Sequence, residues 1–567
     1  MRRAFKITIL LVVFCATLAF SADRASVPPR KEYAQAAAAL EQMIERELRD
    51  KQLPAMSIAL VDDNEIVWAQ GFGYADPERK VPATASTVYR IGSVSKLFTD
   101  IGVMQMAEQG KLDIDAPISN YLPDFKPANQ FPKPITLRQL MAHRSGLLRE
   151  PVAGHYFDDA EPTIAATVRS LNDRPLIYEP ETRVKYSNAG ITVVGYTLES
   201  LNRQPFAAHM KQALLAPMGM NSSAFELSPE IKNNLAKAYI WTYRGGVFPA
   251  PTFEPGIVPA GSMYSTVLDL GRFAGVLMSE GRAANGQVLK PETLKRMYEP
   301  QFAQREPRNF GIGFMLGDLD GHKVVGHGGA VYGFATEFEV LPADKLGAVA
   351  ITTMDSANGV TTHIVQTALR MMLAVKAGKT LSQIPVTEPV PADLSSKLAG
   401  RYGEGESAVD LFEQNGNLYL RRLRGGSQLR LRKLAGALVT DDRLSYGTRI
   451  EPTDDAIRIG NEVLKRVPAA KPTAVPQEWE GLIGEYGWDY NILNIEARDG
   501  QLVSLIEWYE YEPLEQISKD VFRYPQRGLY DNETITFTRD ASGRATQVEV
   551  GSVVFKRRKT EEVQWHP

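Results

Sequence analysis

Three short stretches carry residue types suited to acyl transfer. Gly92-Ser93-Val94-Ser95-Lys96 sets a serine three positions before a lysine, where an apolar run begins. At a helix N-terminus the positive dipole end stabilises negative charge on a serine oxygen or on an oxyanion beside it. A lysine one turn along lies on the same face and can reach that hydroxyl. Burial and a neighbouring cation lower its pKa toward that of a base. The pattern alone is weak, because it also describes an N-cap serine beside a solvated lysine. Tyr186-Ser187-Asn188 offers a phenol able to shuttle a proton and an amide able to hold a substrate amide. Gly326-His327-Gly328-Gly329-Ala330 is a glycine-rich strand edge that leaves room for a ligand against the backbone. Alone, the tyrosine–asparagine pair fits any surface, and a lone histidine is more often structural than catalytic.

The order and spacing of the three stretches resemble the penicillin-recognising serine hydrolases: class C β-lactamases, DD-peptidases, related esterases and D-aminopeptidases. Further phrases carry the likeness. They are Tyr89-Arg90-Ile91-Gly92-Ser93, the run from Ile135 to Leu147, Pro217-Met218-Gly219-Met220 and Pro259-Ala260-Gly261-Ser262. The resemblance implies that Ser93 is the acylated nucleophile and that Lys96 and Tyr186 share its proton, with the primary base open between them. It implies that Asn188, His327 and Gly329 bind substrate, and that the N–H groups of Ser93 and Ala330 form the oxyanion hole.

Two departures stand out. His327 takes the place of a lysine found in many relatives. A histidine ordinarily titrates near ~6.5 and is mostly neutral at neutral pH, so weak anchoring of substrate carboxylates is expected. Histidine-glycine-glycine followed by two barrel-like pieces most resembles the D-aminopeptidases. Pro180-Glu181 stands where proline-glycine is usual, and Glu181 either covers a turn or charges the cleft. Outside these stretches, His143, His155, His209, His322, His363 and His566 show no metal-ligand spacing, so no metal or other cofactor is expected.

The elements that must position these groups can be read from periodicity. Leu40, Met43, Ile44 and Leu48 recur at helical spacing, and Leu97 to Ala107 is apolar on nearly all sides, as a buried helix would be. Met56–Val61 and Glu65–Ala69 flank Asp62-Asp63-Asn64 as a hairpin, Phe338–Leu341 and Ala348–Ile351 read as paired strands, and His363 to Val375 as a closing helix. The fold class expected is α/β: an antiparallel sheet flanked by helices, with a helical subdomain (DD-peptidase/β-lactamase-like), over 32–378.

Proline-bearing linkers are expected at 379–393 and 468–477. The pieces 394–467 and 478–558 resemble each other. Leu398-Ala399-Gly400-Arg401-Tyr402-Gly403 matches Leu482-Ile483-Gly484-Glu485-Tyr486-Gly487, and from each tyrosine to the turn Asn415-Gly416 or Asp499-Gly500 is 13 positions. Two small antiparallel β-barrel (lipocalin-like) domains are the expectation, with one sandwich built from both halves as the alternative. The aromatic-acidic segment Glu507 to Glu512 either packs within the second barrel or covers the mouth of the site.

Arg2, Arg3 and Lys6 precede the apolar run Ile7–Phe20, and Ala19-Phe20-Ser21-Ala22 supplies small residues at a cleavage point. This reads as a secretory signal peptide over 1–21, hence a periplasmic or secreted protein without stable membrane insertion. The chain's single cysteine, Cys15, falls inside it, so disulfides, thiolate zinc sites and a cysteine nucleophile are not expected of the exported chain. With 567 residues, 44% of them hydrophobic, and a net charge of −3, the chain is globular and has no electrostatic footprint for nucleic acid. The functional expectation is a secreted serine hydrolase acting on a small peptide, amide or ester, D-aminopeptidase-like. The alternatives are an esterase or weak β-lactamase of the same family, or a non-catalytic binding or sensory protein.

Overall fold

The computed structural model describes residues 26–242, 246–302, 309–423, 425–468, 474–506 and 509–559. The expected signal segment with Cys15, and also Glu507, Trp508 and His566, lie outside the described residues.

An eight-stranded antiparallel sheet organises the larger part of the chain. Its strands are β1 (Ala55–Asp62), β2 (Glu65–Asp76), β3 (Val81–Pro82), β4 (Asn309–Phe310), β5 (Met315–Leu319), β6 (His322–Val331), β7 (Phe334–Leu341) and β8 (Leu346–Thr352), in the order β4-β5-β6-β7-β8-β1-β2-β3. The Asp63 turn adopts a left-handed φ of 60°, as the Asp-Asp-Asn triplet suggested. Helix α1 (Ala34–Lys51) packs against one face of the sheet. Helices α2 (Ser95–Glu108), α3 (Asn188–Asn202) and α4 (Val267–Met278) come from the long insertion between β3 and β4, and α5 (Asn358–Lys376) follows β8. Leu40, Ile44, Ile364 and Ala368 share one core with Ile58 and Leu60; Phe98, Val194 and Phe273 share the other with Ala59, Val61 and Phe338.

The all-round apolarity of α2 has its cause here. Leu97, Phe98, Ile101 and Val103 are completely or almost completely buried, in a core that also contains helix and sheet residues. Each such side chain contributes roughly 1.5–3 kcal/mol of burial.

Beyond α5 come a helix (Ala392–Leu398) and eight short strands, from Gly400–Tyr402 to Glu462–Val467, that form a closed antiparallel barrel. Its Asn415-Gly416 turn has φ of 50° and 71°, the two left-handed residues that a tight hairpin requires. The last stretch forms a four-stranded and a five-stranded antiparallel sheet around one core that includes Leu493, Phe522, Phe537 and Phe555. A bridge, Tyr486 with Arg557, links its first strand to the end of its last. Its Asp499-Gly500 turn repeats the geometry of the first, at 49° and 76°.

Candidate active site

Ser93 sits in a short 3-10 turn, Gly92–Val94, that leads into α2. Gly92 has φ of 54°, and a Cβ there would lie 2.7 Å from the Ala330 nitrogen. A Cβ on Gly329 would lie 2.0 Å from the Ile91 oxygen. The glycines therefore let the end of β6 lie directly against the serine turn. The Tyr332-Gly333 turn closes Val331 on Phe334, and Ala330 pairs with Ala335 one step back. Alternation along an antiparallel ladder then points the Ala330 N–H away from β7.

Lys96 is fully buried. Its Nζ lies 2.9 Å from Ser93 Oγ, 2.9 Å from Asn188 Oδ1 and 2.7 Å from the Ala260 carbonyl oxygen. That last contact gives the Pro259–Ser262 phrase a role. Burial pushes the amine below its ordinary value of 10.5, with Arg149 lowering it further and Tyr186 and Glu150 opposing. A neutral amine has two N–H donors and one lone pair. Deprotonated, the amine would spend its donors on Asn188 and Ala260 and keep its lone pair for the Ser93 proton.

Tyr186 OH lies 2.8 Å from Ser93 Oγ, and its ring is supported by His143. The His143 ring lies against Tyr186 with centroids 4.3 Å apart and planes tilted by 34°, and its Nδ1 accepts the Ser187 N–H at 3.2 Å. Burial holds this imidazole well below its usual pKa, and its Nδ1 is a neutral acceptor. Ser187 caps α3: its Oγ accepts the Gly190 N–H at 2.8 Å and donates to the Leu148 carbonyl at 2.7 Å. The cap explains the middle residue of the triplet, holding the phenol before the helix and the amide of Asn188 at its first turn.

His327 lies on the same wall, 3% exposed, with its ring centroid 6.2 Å from that of Tyr186. Its Nδ1 lies 2.5 Å from the Gly328 carbonyl, which can only accept, so Nδ1 carries the proton. Gly329 has its carbonyl held by Asn358 Nδ2 at 3.0 Å, from the first turn of α5.

Sequence reasoning missed Glu150. It is 1% exposed, its Oε1 accepts from Asn188 Nδ2 at 2.6 Å, and its Oε2 accepts the Tyr156 N–H at 3.2 Å. It also missed Asp100, one turn after Lys96, whose carboxyl is fully buried without a hydrogen-bond partner among the described residues. Burial raises its pKa well above the ordinary range. Neither residue stands in a pattern that spacing alone could reveal.

Glu181 resolves toward the plainer of its two readings. Glu181 adopts a φ of 74°, and its carboxylate takes hydrogen bonds from Lys133 at 2.8 Å and Gln139 at 3.1 Å, so it closes a turn. Of the aromatic-acidic segment, the described part runs to the first barrel, where Tyr511 pairs with Gly426, and Tyr509 packs among Trp241 and Leu444. For these described residues that contact is a third placement, outside both expected ones. The remaining histidines have local partners: His155 Nδ1 accepts from Phe157 N–H, His322 pairs with Asp344, and His363 stacks on Tyr446. A cavity of about 720 Å³ opens between α5, Leu381–Pro385 and Leu444–Gly447. Ser93, Lys96 and Tyr186 do not line it.

Residues 40–366, more than half of the chain, match the family model described as Beta-lactamase. "Beta-lactamase-like protein 2" of Dictyostelium discoideum is 29% identical over 46% of this chain and 48% of its own. The chain spans between about half and two thirds of the length of the first curated relatives it matches. The octameric penicillin-binding protein homologue from Pyrococcus abyssi aligns over 84% of this chain and 99% of its own, with a TM-score of 0.56 and 22% identity. A D-amino acid amidase from Ochrobactrum anthropi, solved with L-phenylalanine amide, aligns over 61% and 100%, with a TM-score of 0.52 and 23% identity. These solved structures share the fold.

Proposed function

The chain belongs to the beta-lactamase family, and from that premise we propose that it is an exported serine hydrolase that opens small amides, peptides or esters through an acyl-enzyme on Ser93. The observation that supports this most is the placing of Ser93 Oγ between Lys96 Nζ and Tyr186 OH, at 2.9 and 2.8 Å.

In the proposed reaction Ser93 Oγ bonds to the substrate carbonyl carbon and its proton passes to the neutral Lys96 amine. The carbonyl oxygen becomes an oxyanion held by the Ser93 and Ala330 N–H groups, a preorganised arrangement that usually contributes most in acyl transfer. The carbon–nitrogen or carbon–oxygen bond then breaks. Its leaving atom takes the proton back along Lys96 and Tyr186. Water repeats the sequence on the ester, losing its proton to the same pair and freeing the acid and Ser93. Asn188, fixed by Lys96 and Glu150, has a second Nδ2 N–H to offer a substrate amide.

His327 supports the finer reading. Its buried imidazole, with Nδ1 turned to the Gly328 carbonyl, is a poor anchor for a carboxylate, which favours uncharged amides and esters, as in a D-aminopeptidase-like activity. The basic, apolar, small-residue pattern of 1–21 supports export. A panel of D-amino acid amides, short acyl esters and a chromogenic cephalosporin tests the substrate class in wild type and H327K. Amides and esters turn over best in wild type, and H327K gains toward substrates with a C-terminal carboxylate. No gain in H327K would remove the anchoring argument.

A further inference from the structure

The groups that fix Tyr186 and Asn188 are themselves held by the far end of the chain. Lys185, the residue before the phenol, forms an ion pair with Glu533 Oε1 at 2.5 Å, with both side chains 1% exposed. The same oxygen accepts the backbone N–H of Arg149 at 2.8 Å. Arg149 in turn presents its carbonyl to the N–H groups of Asn188 and Ala189 at 2.9 and 3.1 Å. One carboxylate oxygen thus ties the residue preceding Tyr186 to the residue that receives the first turn of α3.

The second C-terminal unit is shaped for this contact. Glu533 stands directly before the strand Thr534–Arg539. A Cβ on Gly551, which has φ of 59°, would lie 2.1 Å from Glu533 Oε2, so the glycine leaves the carboxylate its space. From the neighbouring residue, Ser552 Oγ donates to the Glu150 carbonyl at 2.9 Å. Asp531 flanks the ion pair, accepting from Tyr178 OH at 2.7 Å and from Arg183 at 3.2 Å. An exposed ion pair would fix little. This one is buried, and its acceptor has a second donor from the backbone, so its geometry is determined on both sides.

We propose that Glu533 is a positioning residue for the hydrolase, holding Tyr186 and Asn188 in register through Lys185 and the Arg149 N–H. This rests on the Ser93 reading above. It also assigns the second C-terminal unit a task inside the active site.

The test uses the full chain and a fluorescent aryl phosphonate, whose phosphorus bonds to a nucleophilic serine as aryloxide leaves. E533A strands the Lys185 ammonium, so K185M/E533A removes that charge, and K185M/E533Q also restores an acceptor for Arg149 N–H. The melting temperature falls in E533A and recovers in both double variants. In K185M/E533A the inactivation rate constant stays about 10- to 100-fold below wild type, as misplacement of a catalytic group predicts. The half-saturating phosphonate concentration changes less than about two-fold, the signature of a lost transition-state contact. K185M/E533Q regains most of the rate. If K185M/E533A reacts at the rate of wild type while wild type is labelled at Ser93, positioning is overturned and the hydrolase reading stands. If wild type is not labelled at Ser93, the hydrolase reading falls, and the positioning role with it.

Discussion

Asn188 donates its amide N–H to Glu150 at 2.6 Å while its oxygen takes the Lys96 amine at 2.9 Å. The carboxylate therefore decides which way the amide faces. Without it the amide is free to turn, and Lys96 loses a partner that leaves its lone pair aimed at Ser93.

Replacing Glu150 by alanine is expected to lower turnover about 10- to 100-fold, the scale of a misoriented catalytic contact. Asn188→Ala should cost at least as much, and the double variant no more than the worse single, because the two act as one unit. Steady-state kinetics on the best substrate of the panel checks this; additive losses would separate the two residues.

The rate of serine modification should rise with pH on a limb below the ordinary lysine value of 10.5, because burial pushes the Lys96 amine down. Raising the pH removes the ammonium proton and frees the lone pair, so the rate climbs and then levels. Tyr186, Arg149, Glu150, Asp100 and His143 are the titratable or charged groups around this amine. Lys96→Arg, whose guanidinium keeps its proton, should lose both the limb and the activity. A wild-type limb at the unshifted value would contradict the role of burial.

Glu337 and Glu339 on β7 meet Thr362 and Gln366 of α5 at 2.7 and 3.2 Å. Burial raises both carboxyl groups above the ordinary range, and Glu339 adds to the rise at Glu337. The folded chain then holds protons that the unfolded chain has released, so stability is complete below the ordinary carboxylate pKa and declines as pH rises through the folded values. Glu339→Gln removes part of that decline, and its melting temperature at pH 8 should exceed that of wild type by about 2–4 °C. Melts from pH 5 to 9 check it; parallel curves would count against the buried charge.

Much of the site was legible because its chemistry is local. Ser93 and Lys96 are three residues apart, and Tyr186 and Asn188 flank the serine that caps α3, so each pair shows as a short phrase. The turns Asn415-Gly416 and Asp499-Gly500 were legible for a similar reason: two left-handed residues leave a compositional mark. Glu150 and Glu533 left none. Glu150 meets Asn188 across 38 positions and Glu533 meets Lys185 across 348, and a lone glutamate carries no sign of what it will face. The described part of the aromatic-acidic segment shows the same limit. Its alternation marks a strand, but only tertiary packing sends Tyr511 to Gly426 and away from the serine.

The most direct measurement is mass spectrometry of the intact chain and its peptides after reaction with the aryl phosphonate. One adduct per chain on the peptide containing Ser93, absent from S93A and formed at least ~10³-fold more slowly by K96A, is the expected result. An adduct on another residue, or equal labelling of S93A, would contradict the proposed nucleophile.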